Sequence, residues 1–386
     1  MTKANWSYPT QIRFGPGRID ELARACRTAG IARPLFVTDP VVAGLPIAAR
    51  ALEILAAEGL TASVFSGVDP NPIGANVEAG IAAYRAGDHD GVIAFGGGSA
   101  LDAGKAIAFQ QGQNRPLWDF EDIGDYWTRA DADAIAPVIA VPTTAGTGSE
   151  VGRAAVVTHE AIHTKKVIFH PKMLPVCVIA DPELTVPMPP KVTAGTGMDA
   201  LAHCLEAYSS PFYHPMSEGI AVEGVRLCKE ALPRVMADGT DIEARGDMMS
   251  AAAMGAVAFQ KGLGAIHALS HPVGALYNTH HGLTNAVFMP YVLAFNRPAI
   301  EDKIERLGKF IGVDGGFDGF LGWIIALRRE IGIPNGLKAI GVDDTKIDII
   351  AEMAVVDPTA GGNPRPLDAA AAREIFRRAY EEDLGL

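Results

Sequence analysis

Residues 92–109 read VIAFGGGSALDAGKAIAF. The apolar run 92–95 ends in glycine and reads as a strand buried on both faces, the kind found in parallel sheets. Gly96, Gly97, Gly98 and Ser99 form a turn, and 100–109 has helical spacing. A strand, a glycine turn and a helix in that order aim free backbone N–H groups and the positive end of a helix dipole at one point. That arrangement suits an anion such as a diphosphate. Asp102 falls in the first turn of the helix, placed to cap it or to meet a ligand.

The same alternation continues on both sides. Upstream, strand 11–14 precedes helix 19–29, and strand 34–38 ends at Asp39-Pro40. Helix 45–58 follows, then strand 62–65, the turn Asp69-Pro70-Asn71-Pro72 and helix 74–86. Downstream, strand 137–141 runs into PTTAGTGSE (142–150), whose hydroxyls are Thr143, Thr144, Thr147 and Ser149. Segments 151–158 and 164–169 read as a hairpin carrying Lys165 and Lys166, and strand 176–180 ends at Asp181. Strands alternating with helices predict a parallel sheet with right-handed crossovers. Asp39, Asn71, Gly97, Gly98, Ser99 and the 142–150 loop then share the strand C-terminal edge, where doubly wound sheets bind ligands.

The glycines depart from the dinucleotide fingerprint. With Gly96 and Gly98 in register, the third glycine position is Leu101. The acid that binds a ribose normally follows the glycines, whereas Asp39 precedes them. Either this edge holds no dinucleotide or the strand order differs. The second hydroxyl-rich loop favours a two-phosphate ligand.

Beyond Pro187-Met188-Pro189-Pro190 the pattern turns helical to the end. This predicts an α/β domain over 1–187 and an all-α domain over 188–386. In AGTGMDALAH (194–203), Asp199 and His203 stand four apart and share a helix face, with Thr196 as its N-cap. Further on, His267, His271, His280 and His281 fall within fifteen residues, among Ile266, Leu269, Val273 and Leu276. A carboxylate with several imidazoles on apolar helices suits Zn²⁺ or Fe²⁺.

Hydrophobic residues make up 48% of the 386, which fits large buried cores. A formal net charge of −12 argues against nucleic acid or an anionic membrane as partner. Cys26, Cys177, Cys204 and Cys228 show no CxxC spacing and read as reduced thiols of a cytoplasmic protein. The N-terminal MTKANWSYPT lacks the apolar core of a signal peptide, and no run has the length and apolarity of a membrane span.

With both halves read, the chain resembles the iron-containing (group III, metal-dependent) alcohol dehydrogenases. The resemblance is carried by FGGGSALD (95–102), PTTAGTGSE (142–150), ADPELT (180–185), GMDALAH (197–203), HALSHPVGALYNTHHGLTNA (267–286) and GGNPR (361–365). They agree in type, order and spacing over nearly the whole chain, nearest to the lactaldehyde reductase and butanol dehydrogenase branch. The resemblance implies a Rossmann-like NAD-binding α/β domain followed by an all-α catalytic domain. It implies Asp199, His203, His267 and His281 as metal ligands, the last because the family's ligand directly precedes a glycine, here Gly282. It makes His271 a non-ligating histidine near the reaction centre. It puts cofactor positions on Asp39, Asn71, Gly97, Gly98, Ser99, Thr143, Thr144, Thr147, Ser149 and Lys165, with Leu184 beside the nicotinamide. Fe²⁺ is the implied ion, with Zn²⁺ able to compete, and a homodimer or larger oligomer is the implied assembly.

The expected activity is hydride transfer between NAD(H) and a small primary alcohol or aldehyde. Asp39 should favour NAD, since a carboxylate accepts from a ribose 2′-OH and repels a 2′-phosphate. Phe259, Gly264, Asn363 and Arg365 are candidate substrate neighbours, and Arg365 also reads as a structural ion pair. The alternatives are a metal-independent maleylacetate reductase-like enzyme, against which the full ligand set speaks, and a non-catalytic metal- and nucleotide-binding sensor.

Overall fold

The computed structural model describes residues 7, 8, 10–162 and 164–385. It divides into two compact units: Tyr8–Thr144 with Gly148–Pro187, and Met188–Leu386 with Ala145–Thr147.

The first unit is built on eight strands. They are β1 (Gln11–Phe14), β2 (Pro34–Val37), β3 (Ser63–Phe65), β4 (Gly91–Gly96), β5 (Val138–Pro142), β6 (Ala154–His159), β7 (Thr164–Phe169) and β8 (Cys177–Ala180). Its helices are α1 (Leu22–Thr28), α2 (Pro40–Ala43), α3 (Pro46–Ala57), α4 (Gly74–Ala86) and α5 (Gly98–Gln110). Six strands form one parallel sheet in the order β1-β8-β5-β4-β2-β3, and β6-β7 is the separate antiparallel hairpin. Strands β2, β4, β5 and β8 are buried throughout. That is why they read as unbroken apolar runs and not as alternating ones. Phe36 and Phe95 pack with ring centroids 4.9 Å apart, in a core that also takes Leu22 and Cys26 of α1 and Leu55 of α3.

The chain leaves β2 for β3 on one side and returns to place β4 on the other. The switch point of the sheet therefore lies between β2 and β4. The different strand order also resolves the misfit at Leu101. The third glycine of the usual fingerprint lets a helix approach its strand closely. Here Gly104 does that, since a Cβ on it would lie 2.6 Å from Ala94 Cβ.

The second unit contains α6 (Pro190–Ser209), α7 (Pro215–Ala237), α8 (Ile242–Ala258), α9 (Ala265–Tyr277), α10 (His281–Ile311), α11 (Gly316–Glu330), α12 (Ile347–Val356) and α13 (Ala369–Glu381). Every residue of α6 from Thr193 to Ser209 is buried, so α6 is the axis around which its neighbours pack. Thr196 is not its N-cap. The helix begins a turn and a half earlier with Pro190 in the first helical position, where the missing N–H costs nothing. Thr196 Oγ1 bonds back to the Val192 carbonyl at 2.9 Å. Gly195 and Gly197 are packing residues, not breakers: a Cβ on Gly195 would lie 2.8 Å from the His280 ring, and one on Gly197 2.4 Å from Leu232. Among the described residues no single helix is long and apolar enough to cross a membrane.

Glu150 of the 142–150 loop is buried, and burial pushes its carboxyl up from 4.5 to about 7. The folded state therefore keeps a proton that the unfolded chain releases near 4.5. The contribution of Glu150 to stability should fall as pH rises from about 4.5 to about 7 and stay level below that window. Glu150→Gln should remove this decline, so the stability of the variant relative to the wild type should rise by about 3 kcal/mol between pH 4.5 and pH 8. Urea unfolding of both proteins across this pH range measures it.

Candidate functional site

In the first unit, the predicted cofactor residues gather at the C-terminal edge of the sheet. Asp39 follows β2 and caps α2, its Oδ1 accepting from the backbone N–H of Val41 at 2.9 Å and Val42 at 3.0 Å. Its other oxygen faces the glycine turn, 3.6 Å from where a Cβ on Gly96 would stand. Gly96 has φ +145°, a conformation that excludes side chains. Gly97 lies beside Thr144, and Gly98 and Ser99 open α5. The two loops are tied together where Thr143 N–H donates to the Gly96 carbonyl at 2.9 Å. Ser99 Oγ donates to the Pro70 carbonyl at 2.5 Å, which brings the Asn71 turn to the same edge. Lys165 on β7 stands opposite Thr158, whose N–H donates to the Pro72 carbonyl beside that turn.

Three predicted residues are placed differently from the rest. Asp102 turns inward, accepting from Ser149 Oγ at 2.5 Å and Val156 N–H at 3.0 Å, with the buried Lys105 ammonium 3.1 Å away. It ties the 142–150 loop to α5. Leu184 is buried in the core of the unit. Thr147 belongs to the short stretch that packs with the helical unit, where Gly146 lies against Thr196.

In the helical unit, the separated acid and histidines converge. Asp199 and His203 project from α6, His267 from α9, and His281 is the first residue of α10. Asp199, His203 and His267 offer ligand atoms all within 4.8 Å of one another. His267 Nε2 and His281 Nε2 lie 3.7 and 3.6 Å from Asp199 Oδ1. Two ligands on a tetrahedral ion at about 2.1 Å stand about 3.4 Å apart, so the spacing fits a divalent cation. The His203 and His267 rings stack at 4.6 Å. His280, beside His281, caps α10 instead, its Nδ1 accepting from Leu283 N–H.

Two residues without a predicted role, Asn285 and Glu206, hold this cluster together with Asn363, which was expected beside the substrate and instead anchors a helix. Asn285, one turn into α10, points its Nδ2 at Asp199 Oδ1 (2.7 Å), His267 Nε2 (3.2 Å) and His281 Nε2 (3.2 Å). The electropositive amide end sits where three electron pairs meet, which is where a cation belongs. Glu206, buried one turn beyond His203, accepts His267 Nδ1–H at 2.6 Å and Ile266 N–H at 2.6 Å. Asn363 accepts Ala265 N–H at 3.1 Å and pairs with Asn296. Glu206 and Asn363 thus satisfy the first N–H groups of α9, the helix that presents His267 and His271. His271 donates from Nδ1 to Asp357 Oδ2 at 2.8 Å. Phe259 packs on the His203 ring at 5.2 Å. Arg365 forms no salt bridge among the described residues; its guanidinium lies over Phe295 and bonds that residue's carbonyl.

The electrostatics prepare these groups for a metal. Burial alone would raise Asp199, but His203, His281 and His267 hold it far below the usual carboxylate range. Burial lowers His203 to about 4, so its imidazole is neutral and its lone pair available. Burial would lower His267 too, but Glu206 and Asp199 outweigh it and raise His267 to about 9. A cation takes the place of that proton. Asp199 and His267 side chains are 3% and 2% exposed, against 25% for His281 and 16% for His271. The cluster is sealed on the α6 side and opens beside His281 and His271.

The sequence profile of the iron-containing alcohol dehydrogenases matches residues 9–182, and that of the family's C-terminal domain matches residues 193–380. The chain is 39% identical over 382 residues to the 4-hydroxybutyrate dehydrogenase of Cupriavidus necator, covering 96% of this chain and 98% of that one. Its fold matches the crystal structure of a 1,3-propanediol oxidoreductase with a TM-score of 0.93 and 33% identity, over 98% of this chain and 100% of that one. It also matches the sulfoacetaldehyde reductase of Bifidobacterium kashiwanohense in complex with NAD⁺, with a TM-score of 0.89 and 28% identity, over 98% and 99% of the two chains.

Glu206→Gln keeps the shape of the side chain but weakens its hold on His267. Isothermal titration of the metal-free variant with Zn²⁺ should show about 10–100-fold weaker binding than the wild type.

Proposed function

We propose a role for each polar residue of the two sites in this chain, which belongs to the iron-containing alcohol dehydrogenase family and is a metal-dependent, NAD-linked oxidoreductase of alcohols. Asp199, His203, His267 and His281 hold the divalent cation, with Fe²⁺ as the working ion. Asn285 orients the Asp199 carboxylate and Glu206 fixes the His267 ring. The cation supplies Lewis acidity, lowering the pKa of an alcohol hydroxyl towards neutrality or polarising an aldehyde, and NAD supplies the hydride acceptor or donor. His271 accepts the alcohol's proton, or returns it in the reverse direction.

At the sheet edge, Gly97, Gly98 and Ser99 receive the diphosphate on the N-terminus of α5. Asp39 accepts from a ribose 2′-OH through the oxygen that does not cap α2. Thr143, Thr144, Thr147, Ser149, Asn71 and Lys165 complete the NAD site, with Leu184 on the nicotinamide side. Asp102 serves it by holding Ser149. The domains divide at 187/188, and the enzyme works in the cytoplasm as a homodimer or larger homo-oligomer.

The substrate is a short primary alcohol or its aldehyde. The names of the relatives support this, since 4-hydroxybutyrate and 1,3-propanediol are both short primary alcohols with a second polar end. The observation that carries the proposal is the convergence of three imidazoles and one carboxylate from α6, α9 and α10, sealed on one flank and open on the other. A catalytic metal site needs that open position. The same convergence speaks against a metal-independent reductase.

NADH oxidation with a panel of short aldehydes tests it. Activity should disappear on chelation and return with Fe²⁺. Turnover indifferent to chelation would move the chain to the metal-independent reading, and NADH binding without turnover would make it a sensor. Asp39→Gly should raise NADP(H) use at least about tenfold in kcat/KM relative to NAD(H); an unchanged preference would remove Asp39 from the ribose.

A further inference from the structure

We propose that Asp357 is a positioning residue that fixes the tautomer of His271. The claim rests on the reading of His271 as the proton carrier, and on a chain of contacts outside the metal cluster. Asp357 lies just past the end of α12, with a side chain only 8% exposed. Its two oxygens have different partners. Oδ1 accepts from Thr359 N–H at 2.9 Å and Thr359 Oγ1 at 2.5 Å. Oδ2 faces His271 Nδ1 at 2.8 Å.

A carboxylate bonded by these donors can only accept, so the hydrogen between Asp357 and His271 belongs to Nδ1. His271 Nε2 is then left with a lone pair. The His271 ring stacks on His281 with centroids 5.4 Å apart, and lies on the flank where the cluster is exposed. The free lone pair is therefore the form that accepts a proton from a substrate hydroxyl. The opposite tautomer would present an N–H there and could not. The surroundings keep Asp357 ionised and so able to accept. Burial alone would raise its carboxyl, but His271 and Thr359 hold it below the usual range. The carboxylate also ties the end of α12 to α9, so His271 cannot turn over without breaking a buried bond.

Asp357→Asn gives a sharp test, because the asymmetry of the contacts dictates how the amide sits. Thr359 N–H is a fixed donor, so the amide oxygen must face it. The amide NH₂ then faces His271 and donates to Nδ1, which drives the ring hydrogen to Nε2. Folded volume and the metal ligands are unchanged.

The experiment uses the Zn²⁺-loaded enzyme with ¹⁵N-labelled histidine and reads the tautomer from ¹⁵N shifts, the His271 signals being those lost in His271→Asn. The wild type should show Nδ1–H and D357N should show Nε2–H. With Fe²⁺ in place of Zn²⁺, the kcat for aldehyde reduction should fall about 100-fold or more in D357N, while Zn²⁺ affinity, NADH affinity and KM stay within about twofold. An Nε2–H wild type, a D357N spectrum like the wild type's, or a D357N kcat within about threefold where His271→Asn itself is impaired overturns the proposal. His271→Asn at wild-type turnover would instead overturn the proton-carrier reading, and the spectra would still decide whether Asp357 sets the tautomer.

Discussion

A carboxylate that is 2% exposed must find compensating charge or give up its own. Asp199 is that carboxylate, and the helical unit is arranged around it. Imidazoles from α9 and α10 turn toward one of its oxygens, an amide N–H₂ from α10 points at the same oxygen, and His203 of α6 brings a ligand atom within 4.8 Å. Each inward imidazole needs its outer nitrogen or its helix anchored, which is what Glu206 and Asn363 do at the start of α9. The site is thus continuous with the packing of the unit. Glu206 at once caps a helix, fixes a ring and neutralises charge.

That convergence depends on how closely the helices meet. A Cβ on Gly282 would stand 2.2 Å from the Gly195 carbonyl, and one on Gly255 2.8 Å from His203 Cβ. Gly195 and Gly282 let α6 touch α10, Gly197 makes room for Leu232 of α7, and Gly255 of α8 lets that helix reach α6. This explains why the sequence misleads at Thr196. A threonine between glycines before an apolar run resembles a helix start, whereas proline at 190 is the start and the glycines are contact points. The strand order of the other unit has a similar effect. With β2 and β4 adjacent across the switch point, the acid precedes the glycines in sequence, and close helix–strand contact falls to Gly104.

Much of the architecture was legible because period and burial coincide. Fully buried parallel strands leave unbroken apolar runs, and residues four apart on an apolar helix must share a face, so β4 and the Asp199–His203 pair stand out. What was hidden are the residues that act on other residues. Glu206 and Asp357 meet His267 and His271 across 61 and 86 positions, which no spacing rule links, and Asn285, although it shares a helix face with His281 four residues before it, reaches Asp199 across 86. Asp102 shows the reverse case: a helix starting at residue 100 would put it in the first turn and invited a ligand role, whereas α5 starts at Gly98 and Asp102 meets Ser149, Val156 and Lys105. Arg365 likewise packs on an aromatic ring and forms none of the salt bridges seen among the described residues.

The central claim is that one divalent ion is held jointly by Asp199, His203, His267 and His281. Diffraction from iron-loaded crystals, with anomalous differences recorded above and below the iron edge, tests it most directly. The account predicts a single strong peak about 2.0–2.3 Å from a donor atom of each of the four side chains, with Asn285 Nδ2 moved off the position it shares with them. A peak elsewhere in the chain, or no peak with the four side chains still bonded through Asn285, would contradict it.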